Sequence, residues 1–336
     1  MTEAKLRQCR YPVARRMLAL VALLSATPFA PAALAEAYPS RPIKFIVPFP
    51  AGGSSDLIGR TIARKISEQV GQPVLVENRA GASGVIGQDA VSRSPADGYT
   101  LGLGTVSTLA MAPSVHARLP YDPLKSFAPI SLVAGAPFVV AVHPSVPANS
   151  LGELIDLARA KPSRLNFYSI GNGTLHHFAG EQFKALTGAD IVHVPYKGGA
   201  PAFVALLAGE VQIGFDVLSS FRLQNIESGK LKALAVAGPA RLPQLPSVPT
   251  AAEAGLQGFE VSAWFGVVAP RGTPADVVAR LNAEMRRAVA SPEAREFLSA
   301  QGLDPAADSP QQFAAFIGSE IVKWSRIIKT SGFRPE

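Results

Sequence analysis

The sequence contains one cysteine, Cys9, and it lies ahead of an apolar stretch near the N-terminus. Everything downstream therefore lacks a disulfide, a thiolate metal site and a thiol nucleophile. Cys9 is also misplaced for a lipid anchor, which would sit at a cleavage site. Other enzyme signatures are missing too. There is no G-x-S-x-G elbow. There is no P-loop, since Gly229-Lys230 runs into Leu231. Gly171-Asn172-Gly173 lacks the third glycine of a dinucleotide fingerprint. His116, His143, His176, His177 and His193 show no H-E-x-x-H or other metal-ligand spacing. Neither a metal nor a cofactor is expected, and no catalytic residue stands out.

Charge of one sign is scarcer than the totals suggest. The chain has 32 basic and 25 acidic residues, a net of +7. Five of the basic residues and one acidic residue fall in the first 35, leaving 27 against 24, or +3. That removes nucleic acid and anionic membrane as partners implied by charge. The same 35 residues read as a secretion signal. Arg7, Arg10, Arg15 and Arg16 form the positive region, Met17–Ala26 the apolar region, and Ala33-Leu34-Ala35 an A-x-A cleavage site, so that Glu36 becomes the new N-terminus. Pro28 and Pro31 interrupt the apolar run short of the roughly 20 residues a spanning helix needs.

The remaining 301 residues exceed one typical core and predict two domains. Short β-rich runs alternate with helical stretches, an α/β pattern with mostly parallel sheets. Predicted strands cover Ile43–Phe49, Pro73–Glu77, Tyr99–Gly104, Leu165–Ser169, Ile191–Pro195, Val211–Phe215, Leu231–Ala237 and Trp264–Ala269. The apolar stretch Ile130–His143 reads as a crossing between domains, and the Pro- and Gly-rich segment 238–262 as the return. The expected division is 36–140 with 263–336 as one domain and 141–262 as the other. Ser54 and Ser55, Ser150 with Glu153, and Thr273 are the expected helix caps. Val277, Val278, Leu281, Met285 and Val289 form one expected buried helical stripe, and Phe313, Phe316, Ile317, Ile321 and Trp324 another.

Two strand-to-helix turns are physically alike: Pro48–Asp56, with Phe49, Ala51, Gly52, Gly53, Ser54 and Ser55, and Val194–Pro201, with Tyr196, Lys197, Gly198, Gly199 and Ala200. Each spends two glycines and opens a helix. Glycine lets a ligand approach the backbone, and a helix N-terminus offers unpaired N–H groups and partial positive charge to an anion. The dipole supplies about 0.3–1 kcal/mol, or 2 when partly buried, against about 8 for micromolar binding, so hydroxyls, water and cleft closure must add the rest. Spacing alone fits an ordinary glycine turn equally well. A third turn, Gly171-Asn172-Gly173-Thr174, leads to His176 and His177. Helix neighbours diverge by about 100°, so only His176 is kept as a candidate. A fourth, Thr105–Thr108, offers the hydroxyls of Ser107 and Thr108.

At these turns the chain resembles a known family. The segments YPSRPIKFIVPFPAGGSSD, VENRAGASGVIG, ADGYTL, FAPISLV, SIGNGTLHHFAGEQF, VPYKGGAPAFVALLAGEVQIGFD, GKLKALAV, LPSVPTAAEAG and the closing Glu320-x-x-Lys323-Trp324 occur in the family's order. The family is the substrate-binding proteins of the tripartite tricarboxylate transporters, the Bug receptors. The resemblance implies a two-domain Venus-flytrap fold of the periplasmic binding protein type, with the ligand in the interdomain cleft. It implies that the turns Phe49–Asp56 and Tyr196–Pro201 face each other and grip a carboxylate, partly through ordered water. Gly171–Thr174, Ser107 and Thr108 then line the rest, and Asp216 faces an amine or hydroxyl of the ligand. Lys197 is either a counter-ion or a solvated lysine. Leu175-His176-His177 departs from the Ser-His common in the family, which alters what that helix start offers. The implied protein is a monomeric periplasmic receptor for a small organic acid, serving a membrane permease. The alternatives are a receptor signalling to a membrane sensor and a secreted enzyme on the same fold.

Overall fold

The computed structural model describes residues 38–330 and Phe333. The signal segment, Cys9 and the Ala35/Glu36 junction lie outside the described residues. Helices are labelled α1 (Ser54–Val70), α2 (Val85–Ser92), α3 (Ala112–Val115), α4 (Leu151–Ala160), α5 (Leu175–Thr187), α6 (Gly199–Ala208), α7 (Ser220–Glu227), α8 (Ala275–Ala290), α9 (Pro292–Ala300) and α10 (Pro310–Thr330). Strands are β1 (Ile43–Val47), β2 (Val74–Asn78), β3 (Thr100–Thr105), β4 (Phe127–Val142), β5 (Asn166–Ser169), β6 (Val192–Pro195), β7 (Ile213–Val217), β8 (Lys232–Ala237), β9 (Ser262–Pro270) and β10 (Asp304–Pro305).

The long apolar stretch is a single strand, β4, that serves two sheets. Residues Phe127–Pro137 pair with β9 in the order β2-β1-β3-β9-β4, with β10 adding a short pair. Residues Phe138–Val142 lie between β7 and β8, with β5 and β6 beyond β7. The chain returns through 238–261, where Val261 N–H donates to Ala237 and its carbonyl accepts from Phe138. The β1, β2 and β3 pairings are parallel, as are those of β5 with β6 and β7. Every pairing of β4 and β9 is antiparallel. The expectation of mostly parallel sheets thus fails at the strands that carry the chain out and back, because a crossing chain returns against its own direction.

Helix α1 shows how the first glycine turn is placed. Ile58, Ile62 and Ile66 are buried on one face, and a Cβ on Gly59 would come within 2.6 Å of Val47, so the helix lies directly on β1. The strand end and helix start are therefore locked together. Two expected caps are corrected, and the Ser150 cap is present. Gly53, not Ser54 or Ser55, is the N-cap residue of α1, with no side-chain cap bond. Thr273 bonds back to the Pro270 carbonyl, and α8 starts at Ala275 without a side-chain cap. Ser150 caps α4 by accepting from Glu153 N–H, but Glu153 reaches the N–H of Asn149 and not that of Ser150. The stretch after β3, expected as a turn, is a wide helical turn over Val106–Met111, with Thr105 and Thr108 capping each other reciprocally. No helix among the described residues is long and apolar enough to cross a membrane.

Candidate functional site

Three helix N-termini meet where the two sheets adjoin. Those of α1, α5 and α6 begin at Gly53, Thr174 and Gly198, and none is capped by its own side chain. Elsewhere α4 and α9 are capped by Ser150 and Ser291, and α7, whose start also lines the cavity described below, is capped by Ser219. Uncapped first turns leave N–H groups without an intrahelical acceptor. The cap for α5 comes from a distant segment: Ser107 Oγ accepts from Leu175 N–H at 3.1 Å. The glycine turns touch each other. A Cβ built on Gly53 lies 3.9 Å from the Gly199 nitrogen, and one on Gly198 lies 2.9 Å from Pro50 Cγ.

A cavity of about 230 Å³ opens at this junction. Of the expected residues it is lined by Phe49, Gly52, Gly53, Ser54, Ser55, Ser107, His176, Gly199, Ala200 and Asp216. Ala51, Asp56, Thr108, Gly171, Asn172, Gly173, Thr174, Tyr196, Lys197 and Gly198 do not line it. Several of these brace it instead. Asp56 accepts from Gly52 N–H at 3.0 Å, Arg60 Nε at 3.0 Å and Asn78 Nδ2 at 2.9 Å, which fixes the first turn from behind. Thr174 Oγ1 donates to the Gly171 carbonyl, and the Asn172 carbonyl accepts from Ser83. Lys197 is exposed.

The side of the cavity around Asp216 is expected from the sequence only at Asp216 and His176. Asp216, at the end of β7, is buried and accepts from His176 Nε2 at 3.1 Å, Tyr168 OH at 3.0 Å, its neighbour's N–H at 2.8 Å and the Arg222 guanidinium. Burial pushes its carboxyl up, but the charges of Arg222 and His176 and the bonds from His176 and Tyr168 outweigh this and hold it at about 2. Arg222 also donates to the Val217 carbonyl at 3.1 Å and stacks its guanidinium 4.9 Å over the Phe203 ring. Arg222 Nε and His176 Nδ1 are buried with no protein partner. The rest of this wall is apolar: Phe138, Phe203, Phe221 and Trp264. Trp264 is held in place by its Nε1, which donates to buried Glu320 at 3.0 Å; Glu320 also accepts from Trp324 at 3.1 Å. A sequence signal existed for Trp264, because Glu320 and Trp324 belong to the closing Glu-x-x-Lys-Trp. None existed for Arg222, a lone arginine six positions after Asp216.

His176 and His177 diverge as helix geometry requires. His177 stacks on His193 at 3.9 Å. Burial first, then the nearby His177 and Lys184, hold His193 down at about 3, from its usual 6.5. An unfolded chain takes up that proton below about pH 6.5, whereas the folded one resists until about 3. The associated stability is therefore complete above pH 6.5 and lost as the pH falls toward 3. A His193→Gln protein should show a flatter melting temperature between pH 6.5 and 4 than the parent; an unchanged slope would assign the acid sensitivity elsewhere.

Comparison with known proteins fits this arrangement. Residues 58–333 match the family model described as "Tripartite tricarboxylate transporter family receptor". Protein BugT of Bordetella pertussis is 40% identical over 319 residues, covering 94% of this chain and 98% of its own. The solved structure of R. palustris Rpa4515 with adipate superposes with a TM-score of 0.85 at 37% identity, covering 89% of this chain and all of that one. MatC from Rhodopseudomonas palustris, with bound malate, gives 0.81 at 32% identity, covering 87% and 100%. The fold is that of the two-domain α/β periplasmic binding proteins, and the chain belongs to the tripartite tricarboxylate transporter receptor family.

Proposed function

We propose that this chain is a periplasmic receptor that captures a small carboxylate between its two domains and offers it to the membrane subunits of a tripartite tricarboxylate transporter. The observation that carries this reading is the meeting of two uncapped helix N-termini, at Gly53 and Gly199, on the rim of one cavity. A carboxylate there meets several unpaired N–H groups and the positive ends of both helices at once. The hydroxyls of Ser54, Ser55 and Ser107 lie on the same lining. The adipate and malate held by its relatives support the ligand class. Binding, not turnover, is the role, in keeping with a family of receptors.

In this reading the domains are 36–140 with 263–336, and 141–262, hinged where β4 crosses and 238–262 returns. Export removes residues 1–35. Sequencing the secreted protein should therefore begin at Glu36, and an intact Met1 would contradict export. Ligand binding is tested by thermal shift against a panel of mono- and dicarboxylates. A true ligand at about 100 times its Kd stabilises by about 2.7 kcal/mol. A flat response to every carboxylate would contradict the reading.

A further inference from the structure

The receptor reading leaves the ligand's far end open, and the rest of the cavity lining narrows it. Among the lining residues Arg222 is the one lysine or arginine. Its guanidinium is paired with Asp216 and bonded to the Val217 carbonyl. Lys197 is exposed and off the lining, and Arg60, beside the first turn, is paired with Asp56 and likewise off the lining. The anion-attracting capacity of the cavity is thus concentrated at the helix N-termini. The rest of the lining carries Phe138, Phe203, Phe221 and Trp264, beside a carboxylate of the protein's own. Trp264 donates its N–H to Glu320 and packs edge-on with Phe313 and Phe316, so it lines the cavity as a fixed side chain whose polar atom is already satisfied. Leu57, Val204 and Phe221 line the same cavity while remaining 41, 64 and 58% exposed, an apolar mouth.

A second ligand carboxylate placed here would lose its water, meet only Arg222 and His176, each already engaged with Asp216, and face Asp216 itself. Burying a charge without a partner is costly. An apolar ring or chain would instead bury area against four aromatic faces. Size agrees: a cavity of about 150 Å³ accepts benzene, so 230 Å³ leaves room for a ring and its carboxylate. We infer that the ligand is a monocarboxylate whose remaining body is apolar and about the size of one aromatic ring or a short alkyl chain. This inference rests on the carboxylate-receptor reading above.

The test uses matched pairs on the unaltered mature protein: hexanoate against adipate, and benzoate against terephthalate. Each pair shares a body and differs in one carboxylate. Affinity is read by calorimetry at pH 7, with Trp264 fluorescence as a second signal. The monoacid of each pair should bind about tenfold tighter or more. Equal or tighter binding of the diacids would overturn this inference while leaving the receptor reading intact. No binding by any of the four would overturn both. In Asp216→Asn, where Arg222 loses its partner, adipate should gain about tenfold relative to hexanoate. No gain in a folded variant would overturn the charge-cancelling role given to Asp216.

Discussion

An Arg222→Met protein should lose about 3–5 kcal/mol of folding stability. The substitution keeps an apolar side chain of similar length but removes the guanidinium that stacks on Phe203 and leaves Asp216 buried without its counter-ion. Net stabilities of only about 5–15 kcal/mol make this a large share. The double variant Asp216→Leu with Arg222→Met should recover most of the loss, because an apolar pair requires no compensation for desolvated charge. Urea unfolding of the two single variants and the double one measures the coupling directly. Acid provides a second reading. Asp216 is held at about 2 against an ordinary 3.8, so its contribution is complete above about pH 4 and lost as the pH falls through 2. In Arg222→Met, with burial no longer outweighed, the acid loss should move to higher pH. A single variant no less stable than the parent would show that the ion pair is solvated.

Gly198→Ala should weaken carboxylate binding by about 5- to 100-fold, corresponding to the roughly 1–3 kcal/mol typical of overpacking. Gly198 sits at φ 109° and ψ 174°, a region open essentially to glycine alone. A Cβ there would also lie 2.9 Å from Pro50 of the facing turn. Opening the cleft relieves that second contact, so the variant favours the open form and reduces apparent affinity. Gly53 offers the contrast. Its φ of −88° suits any residue, and an added Cβ meets nothing closer than 3.9 Å. Gly53→Ala should leave the melting temperature of the free protein nearly unchanged yet lower affinity about tenfold, because the added methyl stands on the cavity lining. Calorimetry and melting curves on both variants separate the two effects. Unchanged affinity in both would remove the glycine turns from the site.

These two turns were legible in the sequence for a physical reason. A β-run, two glycines and a helix start are contiguous, and each local preference points to the same backbone. The helical stripes were legible likewise, since Val277, Leu281, Met285 and Val289 all face inward. The apolar lining was not, because Phe138, Phe203, Phe221 and Trp264 come from four elements brought together only by the crossing of β4 and the return of β9. Periodicity marks such residues as buried without saying against what. The cap of α5 was hidden similarly: Ser107 serves a helix 68 positions away. Thr174, the residue that local rules would nominate, bonds back to Gly171 instead. Asp216 lines the cavity, but the arginine that occupies its carboxylate follows on a separate helix and carries no motif.

The central claim is that one carboxylate sits between the N-termini of α1 and α6. A crystal structure of the mature protein with bound benzoate or hexanoate tests it most directly. The account predicts the carboxylate within hydrogen-bond reach, directly or through one water, of the first-turn N–H groups after Gly53 and Gly198, with the apolar body against Trp264 and Phe203. A carboxylate found on the Arg222 guanidinium, with the glycine turns empty, would contradict it.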